Sequence, residues 1–258
     1  MAKYIKTEEG YKGLEESISV VTDNKMDKIN PTGTGSFSMN RKAGTVIGDN
    51  SHAEGFNTTA SGSHSHAEGL STKAIGYISH AEGSSTQASG GYSHAEGNQT
   101  TASSQYSHAE GNQTTANGGS SHAEGSYTKA PGVDSHAEGY MTTASGQGSH
   151  AEGSSMSKFS SVVTTTNPTT GDIITAWKTK KFSIAKGNYS HVEGKDNLAL
   201  DKDSHAEGTN TTASGYSSHT EGDSTTASGF GSHAEGGGTT ASGNYSHAEG
   251  SSTKASNH

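Results

Sequence analysis

Ser51-His52-Ala53-Glu54-Gly55 is followed, after Phe56-Asn57, by Thr58-Thr59-Ala60-Ser61-Gly62, and the same pair of motifs starts again at Ser65. The histidine of the first motif returns at His66, His80, His94, His108, His122, His136 and His150, each 14 residues from the last. After an interruption the series resumes at His191, His205, His219, His233 and His247 with the same spacing. A glutamate runs in step two residues later: Glu54, Glu68, Glu82, Glu96, Glu110, Glu124, Glu138, Glu152, Glu193, Glu207, Glu221, Glu235 and Glu249. Of the thirteen copies, two change the alanine, to Val192 and Thr220.

Each 14-residue unit divides into five, two, five and two residues. Five residues suit a short strand and two a tight turn. Serine and threonine favour extended or turn geometry over helix. Glycine closes nearly every strand, where the backbone is expected to need φ > 0. The chain therefore reads as all-β, a parallel β-solenoid with one repeat per coil. Coils stacked about 4.8 Å apart would make thirteen of them a rod of roughly 60 Å.

Composition agrees with a fibre rather than a globule. Only 26% of the 258 residues are hydrophobic, against 36 glycines and 3 prolines, too little for an ordinary core of this length. The absence of cysteine excludes disulfides and thiolate metal sites. A net charge of −9 argues against a nucleic-acid partner, and the short cluster Lys178, Lys180 and Lys181 does not reverse it. Met1 to Gly10 lacks the apolar stretch of a signal peptide, and no run is long enough for membrane insertion.

Alternation along a strand puts Ser51, Ala53 and Gly55 on one face and His52 and Glu54 on the other. In the second strand Thr58 and Ala60 oppose Thr59 and Ser61. The alanine faces should point into the coil, so the two sheets must lie close together. One such stack buries little apolar area, which predicts packing against sister chains in a closed homo-oligomer. Ser36-Phe37-Ser38-Met39-Asn40 aligns with the first motif, with Phe37 in the histidine slot and Met39 in the glutamate slot. Large apolar residues there mark those slots as facing a protein interface. Thr45-Val46-Ile47-Gly48 is likewise more apolar than later copies.

Over about residues 36–154 and 183–256, the Ser-x-Ala-x-Gly pattern at this spacing resembles the head repeats of trimeric autotransporter adhesins. That resemblance implies a left-handed β-roll and a homotrimer, with the two x positions facing the trimer axis. The family has apolar residues there, whereas this chain has histidine and glutamate. The Ser-His-Ala-Glu-Gly form is also similar to arrays in fibre proteins of phages and prophages.

The expected role of the twenty-six histidines and glutamates is a trimer-axis ladder, hydrogen-bonded between chains, in which the carboxylate raises the histidine pKa. Two alternatives stand beside it: a divalent metal on the axis, and a solvated polar face. No cofactor is otherwise called for. Catalysis is not expected, because a repeated pair offers no unique pocket and Ser51 and His52 point to opposite faces.

The non-repetitive parts complete the division. Residues 1–34 carry Leu14, Ile18 and Val21 at helical spacing within Thr7 to Ile29, ended by Pro31 and Gly33, and read as a short helical trimerisation or docking segment. Residues 35–154 and 190–258 are β-roll. Residues 155–189 read as an inserted hairpin, Val162–Thr166 and Ile173–Trp177 about a turn at Asn167-Pro168, with Ile184-Ala185-Lys186-Gly187 re-entering the repeat. Pro168 and Trp177 are candidates for partner contact. The chain stops mid-repeat at His258, as expected of a processed or truncated product.

The functional expectation is a fibre or spike of a phage or phage-derived particle, attached through its N-terminus and adhering to a host receptor or glycan. The alternatives are a bacterial trimeric adhesin head, a class that normally has a signal peptide and a membrane-anchor barrel, and a polysaccharide-degrading spike.

Overall fold

A computed structural model describes residues 47–154 and 183–256, with the strands Phe37–Met39, Val162–Thr166 and Ile173–Trp177 described as backbone. The chain divides into two units, Met1–Ser107 and His108–His258.

In the first unit, Phe37–Met39, His52–Phe56, His66–Leu70, His80–Ser84 and His94–Asn98 form one parallel sheet. The short strands Thr59–Ala60, Lys73–Ala74, Gln87–Ala88 and Thr101–Ala102 form another. Each residue pairs with its own equivalent one coil on, as His52 with His66, Ala53 with Ala67 and Glu54 with Glu68. This register makes the unit a parallel β-solenoid. Phe37 lies opposite His52 and Met39 opposite Glu54, so the apolar pair does occupy the ladder slots.

The second unit repeats the plan. Its first-sheet strands start at His108, His122, His136, His150, His191, His205, His219, His233 and His247, those at His122, His136, His150 and His247 only two residues long, and second-sheet strands such as Thr115–Ala116 and Thr212–Ala213 alternate with them. The insertion carries the expected hairpin, Val162–Thr166 antiparallel to Ile173–Trp177. The coil closes across it: Ser154 bridges Tyr140 and Lys195, Ile184–Ala185 pairs with Thr143–Ala144, and His150 lies opposite His191. There is no helix among the described residues; the expected helical segment with Leu14, Ile18 and Val21, and Pro168 in the insertion, lie outside them.

The interior is as narrow as the alanine pattern requires. Ala53, Ala60, Ala67 and Ala74 are fully buried, as are Ala206, Ala213, Ala227 and Ala234. Serine and threonine fill the other inner slots. Ser65 Oγ donates to the Gly62 carbonyl at 2.6 Å, and Ser79 Oγ does the same to Gly76 at 2.7 Å, closing one corner of each coil.

Two expectations are corrected. The second motif forms a strand of two residues rather than five. The amides of Ser61 and Gly62 both donate to the Ala74 carbonyl, at 2.9 and 3.3 Å, so the chain turns directly after Ala60. Glycine also serves two different needs. Gly55 sits at φ 104, but Gly62 is outside the left-handed region and is required for space: a Cβ there would lie 1.9 Å from the Gly76 carbonyl oxygen. The corners instead put non-glycine residues at positive φ, Asn57 at 61 and His64 at 59, and even the β-branched Ile78 at 50.

The buried hydroxyl slot gives a paired prediction. Thr142 Oγ1 donates to the Glu138 carbonyl at 3.0 Å, whereas the equivalent Thr128 Oγ1 is buried with no hydrogen-bond partner. Removing an orphaned hydroxyl is neutral or favourable, and removing a bonded one costs about 1 kcal/mol. In thermal melts Thr142→Val should therefore lower stability while Thr128→Val leaves it unchanged or raises it.

Asn197 takes this slot in the coil that also carries Val192, and both are fully buried. Its Nδ2 donates to the carbonyls of Glu193 at 2.6 Å and Gly208 at 2.8 Å, and its Oδ1 accepts from the Thr211 amide at 2.9 Å. Asn197→Ala strands an amide and leaves a void, and should cost about 2–4 kcal/mol by denaturant titration.

Candidate functional site: the histidine and glutamate face

Within each unit the exact repeat converts two residue types into two files. With each histidine paired to the next, the imidazoles stack face to face. His52 and His66 have ring centroids 4.8 Å apart and planes within 4°; in the second unit His108 and His122 are 4.7 Å apart and within 1°. Beside each ring lies the glutamate of the same strand. Nε2 to Oε2 is 3.4 Å from His52 to Glu54, 3.5 Å from His66 to Glu68 and 3.8 Å from His136 to Glu138. These separations are longer than a short hydrogen bond. The side chains are about a third exposed, at 37% for His66 and 41% for Glu68. The Nε2 atoms of His66, His80, His122, His150, His205 and His219 are nonetheless covered and have no hydrogen-bond partner.

Within the single chain the resolved histidine shifts run downward. His66, His122, His150, His205 and His233 all have lowered pKa values. Desolvation is the first cause and the neighbouring histidines the second; the glutamates raise the values but do not win. His205 falls to about 4. Burial penalises the charged form, and the like rings above and below each of these five add to it, so charging one opposes charging the next. Like neighbours also couple three of the glutamates, Glu124, Glu138 and Glu152. Glu124 rises to about 7, first through a hydrogen bond with Glu138, and Glu138 is lowered by the same bond. At neutral pH these five imidazoles are thus neutral, and Glu124 shares its proton with Glu138.

A second file was not anticipated from the sequence. At the corner leading back to each long strand, Tyr92 and Tyr106 stack at 5.2 Å in the first unit. In the second, Tyr216 and Phe230 stack at 5.2 Å with planes within 1°, and Phe230 meets Tyr245 edge-on at 5.1 Å. All are exposed, Tyr245 most at 76%. The signal was present in the 14-residue spacing, but it shifts between two adjacent repeat positions and so escapes a strict periodic reading. Of the other candidates, Trp177 lies on the hairpin strand.

The interior is built from the smallest side chains, the ladder residues are held on one face, and every coil repeats the last. In that setting a family model, the YadA head domain repeat, matches residues 206–232 in two copies. No curated protein matches the chain. Over those coils the chain is similar to the head repeats of trimeric autotransporter adhesins, an adhesin-type structural solenoid and not an enzyme family.

Proposed function

We propose that this chain forms the head of a trimeric, outward-facing surface adhesin, with three copies meeting across their histidine and glutamate faces. The observation that carries the reading is the match of two YadA head repeats to residues 206–232. Two further features support it. Phe37 and Met39 continue the ladder slots with large apolar residues, as an interface requires. The half-exposed ladder side chains also hold covered nitrogens that lack hydrogen bonds within the single chain. The exposed aromatic corner then supplies contact area for a target surface.

The second reading is a phage-type fibre, favoured by the Ser-His-Ala-Glu-Gly form of the repeat. Immunogold labelling of producing cells separates the two. The adhesin reading expects label on the cell surface, with purified chain binding saturably to target cells. Label confined to sedimentable particles, with bare cell surfaces, overturns it in favour of the fibre.

A further inference from the structure

We propose that neighbouring coils of a single chain chelate a divalent transition-metal ion between two ladder histidines and the glutamate that follows the first, as at His205, Glu207 and His219.

The three side chains already converge. His205 Nε2 is 3.5 Å from Glu207 Oε2, and the two rings stand 4.7 Å apart with a tilt of 15°. One ligand atom from each residue lies within 4.8 Å of the others. Both Nε2 atoms are covered and have no hydrogen-bond partner within the chain, so metal ligation displaces no intrachain bond. Two imidazole nitrogens and a carboxylate oxygen are the donor set of a three-ligand site completed by water, suited to zinc, cobalt or nickel rather than to magnesium or calcium.

Geometry limits how many ions fit. Stacked rings present their lone pairs in parallel, whereas a tetrahedral ion with bonds of about 2.05 Å needs its two nitrogens about 3.3 Å apart. Closing that gap takes a swing on the order of 10° in each side chain, within an ordinary rotamer well. A ring that leans towards one neighbour leans away from the other. His219 therefore serves either Glu207 with His205 or Glu221 with His233, not both. The ceiling is one ion for every two ladder histidines, which also keeps the cations two coils apart. No partner chain takes part, in contrast to a metal held on a threefold axis.

Co2+ titration of the full chain at pH 7.5 tests this, read by the visible absorption of nitrogen- and oxygen-ligated cobalt. The expected result is a band saturating near one ion for every two ladder histidines. A variant replacing alternate histidines (His66→Gln, His94→Gln, His122→Gln, His150→Gln, His205→Gln and His233→Gln) keeps about half of them but no neighbouring pair. It should lose the band and weaken binding at least 10-fold while retaining a β circular dichroism spectrum. A variant that keeps the band overturns the proposal, since single histidines or a ring of three chains would then be the ligands. Should the variant not fold, the wild-type stoichiometry decides alone: one ion per histidine pair supports the site. One third of an ion per histidine, or no band, overturns it.

Discussion

Gly208→Ala is expected to destabilise the second unit by about 3–5 kcal/mol. Gly208 sits at φ 100, where an L side chain is strained whatever space surrounds it. Space is also lacking: its Cβ would lie 2.1 Å from the carbonyl oxygen of Gly222 and 2.9 Å from its amide nitrogen. Those are backbone atoms of the next coil, held by the sheet, so the clash is relieved only by parting two coils. Because each coil contacts only its neighbours, the damage should be local. Hydrogen exchange should accelerate most in the strands His205–Thr209 and His219–Asp223. Gly237→Ala is the control: nothing lies within 4 Å of its Cβ, and the change should stay within about 0.5 kcal/mol. Equal effects of the two substitutions in a denaturant titration would mean that the coils are not as close as the glycine file implies.

Acidification should have the next largest effect. The five shifted histidines have folded pKa values below the ordinary 6.5, so the folded chain binds fewer protons than the unfolded one. Their contribution is present above pH 6.5 and is lost as pH falls towards the folded values, which reach about 4 at His205. Glu124 and Glu152 are raised and work in the opposite sense: what they contribute is present below the ordinary 4.5 and is lost as pH rises, through about 7 for Glu124. Glu138 is lowered and sides with the histidines. Histidines prevail by number. With EDTA present and solvent screening of these half-exposed groups allowed for, the melting temperature should fall by on the order of 5 °C between pH 7.5 and pH 5. A melting temperature that rises over the same range would reverse the sign assigned to the ladder.

The fold was legible because the repeat is exact. Thirteen histidines on a spacing of 14 fix the coil, and alternation alone assigns Ala53 and Ala60 to the interior. Strand length was not legible: Thr58-Thr59-Ala60-Ser61-Gly62 has the same form as the first motif, and only the paired amides on the Ala74 carbonyl reveal the early turn. The left-handed corners were hidden by mixed occupants such as Asn57, His64 and Ile78; the glycines at Gly148, Gly231 and Gly238 are the trace they leave in the sequence. The histidine and glutamate files were legible from the period, but the direction of the pKa shifts within a single chain was not. That direction depends on burial, with like rings 4.7 Å apart adding to it, outweighing the nearby carboxylates, a comparison that needs coordinates. Asn197 was missed because a lone asparagine in a threonine slot carries no periodic signal.

Sedimentation equilibrium of the purified chain at pH 7.5 with EDTA tests the central claim most directly. The account predicts a single species of three 26.3 kDa chains, indifferent to EDTA because the meeting faces do not depend on metal. A species of one 26.3 kDa chain at every concentration would contradict it and leave the histidine and glutamate face in solvent.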